Sequence, residues 1–178
     1  MIIVLEGPMG SGKTLSATAF AIIDYYELGR KIVANYHLQG LDFTYFSYEQ
    51  FVEWMKCNET LNDTSVILDE GYLFADSRMS QSGLSKLFTY FMLQTRKRGV
   101  DLYITTQQFR NVDIRIRMNA NVRGICRYNA KTQVSTIRLI DLRTGIRRPV
   151  RIYGPDFFCY YDTKEYPALR AGHFNVKL

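Results

Sequence analysis

Residues Gly7-Pro8-Met9-Gly10-Ser11-Gly12-Lys13-Thr14 match the pattern G-x-x-x-x-G-K-[ST] in full. The chemistry that this pattern serves is the cradling of nucleotide phosphates. Its glycines let backbone N–H groups converge on a β-phosphate at the start of a helix, whose dipole also favours anions. The Lys13 ammonium would then neutralise the β and γ oxygens, and the Thr14 hydroxyl is placed to ligate a Mg2+ bridging those oxygens. The bland alternative is a glycine-rich turn beside an exposed lysine. A chance match in a chain of this length has a probability of about 1% or less, and requiring a strand before and a helix after lowers it further.

Two further groups of residues fit the same chemistry. Val66-Ile67-Leu68-Asp69-Glu70 is an apolar run ending in two acids. Asp69 would hold Mg2+ through water, and Glu70 would polarise an attacking water, which makes hydrolysis the expected reaction rather than transfer to a substrate hydroxyl. The alternative is a solvated strand end. Arg96-Lys97-Arg98-Gly99, followed by Val100-Asp101-Leu102-Tyr103-Ile104-Thr105-Thr106-Gln107, is a basic helix end, a glycine, an apolar strand and a terminal amide. Gln107 comes off the strand before Gln108 and is the better candidate to sense a γ-phosphate or orient the water.

The elements that must position these groups alternate along the chain. Met1 to Glu6 reads as a strand, and Lys13 to Leu28 carries helical spacing through Leu15, Ala19, Ile22, Ile23 and Tyr26, with Gly29 as its stop. Lys31 to Tyr36 is a second strand. Ser47 caps a short helix over Tyr48 to Lys56, with Gln50 three residues on. Ser65 to Leu68 is a third strand, Leu84 to Gln94 a helix, and Val100 to Thr106 a fourth strand. Val122 to Tyr128, Val134 to Leu142 and Arg148 to Tyr153 follow as strands, the last two joined at Thr144-Gly145 in a hairpin. Alternation up to about residue 106 implies a parallel sheet with right-handed crossovers, and the final third an antiparallel extension.

Composition sets the frame. At 178 residues, 47% apolar and with only 4 prolines, the chain is long enough to bury about two thirds of its unfolded surface, which excludes a disordered tail. We expect one domain over 1–178, with a nucleotide-binding core at 1–121 and a β-rich C-terminal extension at 122–178. The apolar stretch from Ala17 to Ile23 is far short of a membrane span, and the first residues lack a basic leader, so a cytoplasmic location is expected. Cys57, Cys126 and Cys159 are too few and scattered for a disulfide frame and read as reduced, buried thiols. His37 and His173 add no zinc cluster, and both read as structural. The aromatic residues Tyr25, Tyr26, Tyr36, Phe43, Tyr45, Phe46, Tyr48, Phe51 and Trp54 read as core or subunit packing.

Charge is divided unevenly. Residues 1–89 hold 6 Lys and Arg against 11 Asp and Glu, a balance of −5, whereas residues 90–178 hold 17 against 6, a balance of +11. Such asymmetry suits a polyanion partner for the second half, or a subunit contact with an acidic face. Arg138, Arg143, Arg147, Arg148 and Arg151 cluster around the expected hairpin, where strand alternation would set several on one face. A DNA backbone would suit that face; an oligomer interface is the alternative.

Taken together, these residues resemble the additional-strand catalytic-glutamate (ASCE, RecA-like) class of P-loop NTPases, and within it the FtsK/HerA superfamily and its viral relatives. The run Arg96-x-x-Gly99-Val-x-Leu-x-Ile-Thr-Thr-Gln107 is similar to the helix-to-strand segment before that superfamily's sensor glutamine. Leu68-Asp69-Glu70-Gly71-Tyr72-Leu73-Phe74 and Asp113-Ile114-Arg115-Ile116-Arg117 resemble the Zot-like branch and small viral packaging ATPases, and Tyr161-Asp162-Thr163-x-Glu165 resembles a tail motif of that group. The resemblance implies a three-layer α/β sandwich with a mainly parallel central sheet and a C-terminal antiparallel extension. It implies ATP and Mg2+ as cofactors, Lys13, Glu70, Gln107 and Arg96 as catalytic groups, and a homo-oligomeric ring, pentamer or hexamer, in which Arg96 of one subunit reaches the γ-phosphate held by its neighbour. Arg98, Arg110, Arg115, Arg117 and Arg123 are competing arginines.

Zot-like assembly proteins carry a membrane-spanning helix after the ATPase region and FtsK a separate DNA-reading domain, and neither follows here. The expected function is therefore a viral genome-packaging ATPase moving double-stranded DNA, with a capsid or membrane-vertex protein of the virion as partner. A Zot-like ATPase for filamentous virus assembly or extrusion is one alternative, and a small P-loop nucleotide or metabolite kinase another; Glu70 directly after Asp69 counts against the kinase.

Overall fold

The computed structural model describes residues 1–56, 61–71 and 83–162. Cys57, Tyr72 to Phe74, Thr163, Glu165 and His173 lie outside the described residues. In chain order the elements are β1 (Ile2–Glu6), α1 (Lys13–Leu28), β2 (Lys31–Ala34), β3 (Phe43–Tyr45), α2 (Tyr48–Lys56), β4 (Thr64–Leu68), α3 (Gly83–Thr95), β5 (Asp101–Thr106), α4 (Ile114–Asn119), β6 (Val122–Asn129), β7 (Val134–Asp141) and β8 (Arg147–Tyr153). They build one sheet in the order β3-β2-β4-β5-β1-β6-β7-β8. Pairing is parallel from β3 through β6 and antiparallel from β6 to β8. This is the mixed α/β architecture the alternation implied, with the switch to antiparallel pairing one strand later than residue 122.

Strand side chains alternate between two cores, because successive Cβ atoms leave opposite faces of a pleated strand. Ile3, Leu5, Ile32, Ala34, Ile67 and Tyr103 pack against Leu15, Ala19 and Ile22 of α1. Ile2, Val4, Val66, Leu68, Leu102 and Ile104 pack on the other side against Phe51 and Met55 of α2, Phe88, Phe91 and Met92 of α3, and Ile116 of α4. A helix layer therefore covers each face of the parallel strands. Strands β1, β4 and β5 are buried from end to end, as expected where both faces are covered.

Two short elements carry no clear sequence signal. Strand β3 has three residues at the sheet edge, and α4 has six, capped by the Asp113 carboxylate accepting from the Arg115 N–H at 2.8 Å. The Ser47–Gln50 cap is present reciprocally: Ser47 N–H donates to Gln50 Oε1 at 2.9 Å and Gln50 N–H to Ser47 Oγ at 3.3 Å. Of the aromatic residues expected to pack, Phe46 and Phe51 are fully buried with ring centroids 5.0 Å apart, whereas Tyr26 is 64% exposed. Cys126 is buried as expected; Cys159 is exposed, because it lies in a surface 3-10 turn (Phe158–Tyr160).

Candidate active site

The sheet order decides where the chemistry can sit. Strand β5 runs between β1, which leads into the glycine-rich loop, and β4, which ends in the two acids. All three are parallel, so their C-terminal tips meet at one edge of the sheet. The loop, Asp69-Glu70 and the Thr105-Thr106-Gln107 tip are thereby collected from three distant parts of the chain. A cleft lined by Met9, Lys13, Glu70, Thr105, Thr106 and Gln107 lies where they converge.

The loop needs its glycines for shape. Gly10 and Gly12 have φ of +73° and +80°, in the left-handed region that costs other residues about 1 kcal/mol or more. A Cβ on Gly12 would also lie 2.8 Å from Ser135 Oγ, since β7 passes directly beneath the start of α1. Gly12 is the N-cap of α1 with no capping side chain, so the first N–H groups of the helix stay available to an anion. Lys13 Nζ donates to the Pro8 carbonyl at 3.0 Å, and Met9 is 85% exposed at the crest of the loop. Beneath the loop Ser16 Oγ meets Ser135 Oγ at 3.1 Å, and burial pushes the Cys126 thiol up to about 11.

Opposite the loop, the Thr14 hydroxyl donates to both Asp69 carboxylate oxygens, at 3.0 and 3.1 Å. Asp69 is 9% exposed, and burial pushes its carboxyl above the usual range; hydrogen bonds from Thr105 and Thr14 oppose that shift, the Glu70 charge adds to it, and Lys13 counters it. A hydroxyl facing a carboxylate is a donor set of the hard-oxygen kind that Mg2+ takes when phosphates and waters supply its other ligands. Among the described residues no three His, Cys, Asp or Glu side chains group as an all-protein metal cage. Thr14 and Asp69 therefore fit the metal role expected of them.

Three positioning residues went unread in the sequence. Thr105 Oγ1 donates to Asp69 Oδ1 at 2.6 Å and accepts the Glu70 N–H at 2.9 Å, and the Thr105 carbonyl takes the Gly71 N–H at 2.8 Å. These bonds hold Glu70 at φ +52°, a left-handed conformation rare for a glutamate. Asn35, fully buried at the end of β2, brackets the Asp69 backbone: its amide donates to the Asp69 carbonyl at 2.9 Å and its carbonyl accepts the Asp69 N–H at 2.8 Å. Glu6, at the tip of β1, accepts the Phe109 N–H at 2.6 Å and the Arg123 Nε–H at 2.7 Å, tying the segment after Gln107 to β1 and β6. Each is a polar residue at a strand tip, for which spacing gives no signature; a buried acid directly before the glycine loop was the one available clue.

The arginines separate by position. Arg96 is exposed in the turn after α3, at the N-terminal end of β5. A six-residue strand spans roughly 20 Å, so Arg96 lies at the opposite sheet edge from the cleft of its own chain. Arg115 is bound to the Asp113 carboxylate, Arg117 to the Val112 carbonyl, Arg123 to Glu6, and Arg110 to Gln108 Oε1. Gln107 is exposed and lines the cleft, and Gln108 turns away to Arg110.

Comparison with known proteins agrees with this geometry. The sequence model of the family described as Zonular occludens toxin (Zot) matches residues 1–50 and 46–134, together 134 of the 178 residues. The N-terminal domain of zonular occludens toxin from Neisseria meningitidis superposes with a TM-score of 0.62 at 20% identity, covering 85% of this chain and 92% of that one. The genome packaging NTPase B204 of Sulfolobus turreted icosahedral virus 2, in complex with ATP-gammaS, gives a TM-score of 0.60 at 14% identity, covering 83% and 95%. The KaiC-like protein PH0186 of Pyrococcus horikoshii follows at 0.53 and 13%, covering 90% and 89%. No curated protein matches the chain. At these identities the superpositions show the P-loop NTPase fold. No helix among the described residues is long and apolar enough to cross a membrane.

Proposed function

The chain belongs to the Zonular occludens toxin (Zot) family, and from that premise we propose that it is an oligomeric ATPase that couples ATP hydrolysis to the movement of double-stranded DNA, as a viral genome-packaging motor does. The observation that carries the hydrolytic part is the convergence of Lys13, Glu70 and Gln107 on one cleft, with Thr14 hydrogen-bonded to Asp69 beside it. In this reading the loop N–H groups bind the β-phosphate, Lys13 spans the β and γ oxygens, and Gln107 faces the γ-phosphate. Glu70 accepts the proton of the attacking water as the bond from the γ-phosphorus to the bridging oxygen breaks. Thr14, and Asp69 through water, would hold Mg2+, which would supply neutralisation of the phosphate charge.

In this reading the protein acts as a homo-oligomeric ring in which Arg96, exposed and remote from its own cleft, serves a neighbour's. In this reading residues 1–178 work as one unit, and the direct pairing of β6 with the strand that carries the phosphate loop supports it. The motor meets a capsid or vertex protein of a virion. Its fold likeness to B204, titled a genome packaging NTPase, supports the packaging reading. The family match favours a second reading, a Zot-like ATPase for filamentous virus assembly or extrusion.

Hydrolysis by the purified protein, with and without linear duplex, tests the proposal. Lys13→Ala should abolish turnover, and an unchanged rate would overturn the site assignment. A requirement for single-stranded DNA or a membrane partner would select the second reading, and phosphorylation of a small acceptor would replace both with a kinase.

A further inference from the structure

Strands β6, β7 and β8 extend the sheet beyond the helices on one side. One face of this three-stranded part is inside the protein: Cys126, Ile137 and Ile152 pack in the core shared with α1. Strand alternation sends the intervening residues to the other face. On it, register places Arg123, Ile140 and Arg147 on one rung, then Ile125, Arg138 and Pro149, then Arg127, Thr136 and Arg151. The arginines form a staggered array, outer strands on the first and third rungs and the central strand on the second.

Of these, Arg123 is neutralised by Glu6. Arg127, Arg138, Arg147 and Arg151 are exposed, and among the described residues no carboxylate pairs with them; Glu6, in register with Ile125 at the edge of this face, is taken up by Arg123. Neighbouring strands lie about 4.8 Å apart and residues rise about 3.4 Å, so Arg138 stands about 8 Å from Arg127 and Arg151, and the array is about 13 Å long. Like charges at this spacing sit within one Debye length at physiological salt and repel one another across the open face. A partner carrying closely spaced negative charge removes that repulsion. Duplex DNA carries negative charge of this kind, about one phosphate per 1.7 Å of its axis counting both strands.

We infer that the open face of β6, β7 and β8 binds the phosphate backbone of duplex DNA through Arg127, Arg138, Arg147 and Arg151. This names the DNA-contacting surface of the proposed motor and so rests on that reading. It differs from the cluster legible in the sequence: Arg127 joins from β6, Arg143 falls in the β7–β8 turn, and Arg148, on a rung with Leu139 and Gly124, belongs to the opposite face. Contacts to phosphate carry no base sequence, as translocation along any sequence requires. A second copy of the chain is the competing occupant, but the core of a subunit interface is depleted of charge, whereas here an unpaired arginine stands at the centre.

The test is fluorescence anisotropy of a short mixed-sequence duplex with the full chain. The wild type is compared with Arg138→Gln/Arg147→Gln/Arg151→Gln, the matching triple lysine variant, and Arg148→Gln. Each lost phosphate contact lowers the slope of log affinity against log salt by about 0.9. The triple glutamine variant should lose about 2.7 from the slope, so that between about 50 and 200 mM salt the wild type weakens about 40-fold more than the variant does. The triple lysine variant and Arg148→Gln should keep the wild-type slope, and hydrolysis without DNA should be unchanged in all. An equal slope in wild type and triple glutamine variant overturns the inference while leaving the motor reading intact. A shift in sedimentation mass without a change in slope assigns the face to subunit contact and overturns it as well. Failure of the wild type to bind duplex overturns both, and the Lys13→Ala result then stands alone for the ATPase.

Discussion

Thr105→Val is the most informative single substitution near the cleft, because it keeps the shape of a fully buried side chain and removes only its hydroxyl. That hydroxyl makes two bonds: 2.6 Å to the Asp69 carboxylate and 2.9 Å from the Glu70 N–H. A hydrogen bond to a charged group contributes about 1.5–3 kcal/mol, and a buried N–H left without a partner costs about 1–3 kcal/mol. Some relaxation is shared between the two, so the expected loss is about 2–4 kcal/mol. Urea unfolding should show it as a lower midpoint at unchanged m-value. The catalytic effect should be separate. Releasing Glu70 from φ +52° shifts its carboxylate, and a displacement of about 1 Å costs about 100-fold in rate. Since the phosphate loop is untouched, kcat should fall while KM changes little. Thr105→Ser, which retains the hydroxyl, should recover most of both. Wild-type midpoint and wild-type kcat in Thr105→Val would refute the view that Thr105 positions the acid pair.

Gly12→Ala should destabilise the protein and weaken nucleotide binding at least 10-fold by titration calorimetry, because φ is +80° and the new methyl would meet Ser135 Oγ at 2.8 Å. Alkylation at pH 8 followed by mass spectrometry should modify Cys159 and spare Cys126: burial raises the Cys126 thiol to about 11, which leaves about one molecule in a thousand as thiolate. If Arg96 acts on a neighbouring subunit's nucleotide, mixing inactive Arg96→Ala with inactive Glu70→Gln should restore hydrolysis, because mixed rings contain intact sites; no recovery in co-assembled rings would remove Arg96 from the mechanism.

The candidate site was legible in the sequence where one residue type stands at one spacing. The glycine loop, Glu70 at the close of an apolar strand and the amide after β5 line one cleft, with Asp69 beside it on Thr14. Strand and helix limits held where hydrophobic periodicity was long, as in α1, or bounded by a glycine, as at Gly29 and Gly99. Strand β3 and helix α4 escaped because three and six residues are too few for a period to emerge. Thr105, Asn35 and Glu6 escaped for a different reason. Their roles depend on which strand tips are neighbours, and only the order β4-β5-β1 brings Thr105 between Asp69 and the loop. The arginine face was half legible: the cluster around the hairpin showed in the sequence, but the β6–β7 and β7–β8 registers decide that Arg127 and Arg138 share a face with Arg147 and Arg151 and that Arg148 does not.

In the proposed function this cleft hydrolyses ATP and duplex DNA engages the same machine. Hydrolysis measured at low salt, alone and with linear duplex, tests it most directly, with Glu70→Gln as the background. The wild type should turn over clearly and be stimulated by duplex, and Glu70→Gln should show no turnover above background. Equal rates in wild type and Glu70→Gln, or hydrolysis indifferent to duplex, would contradict the proposed function.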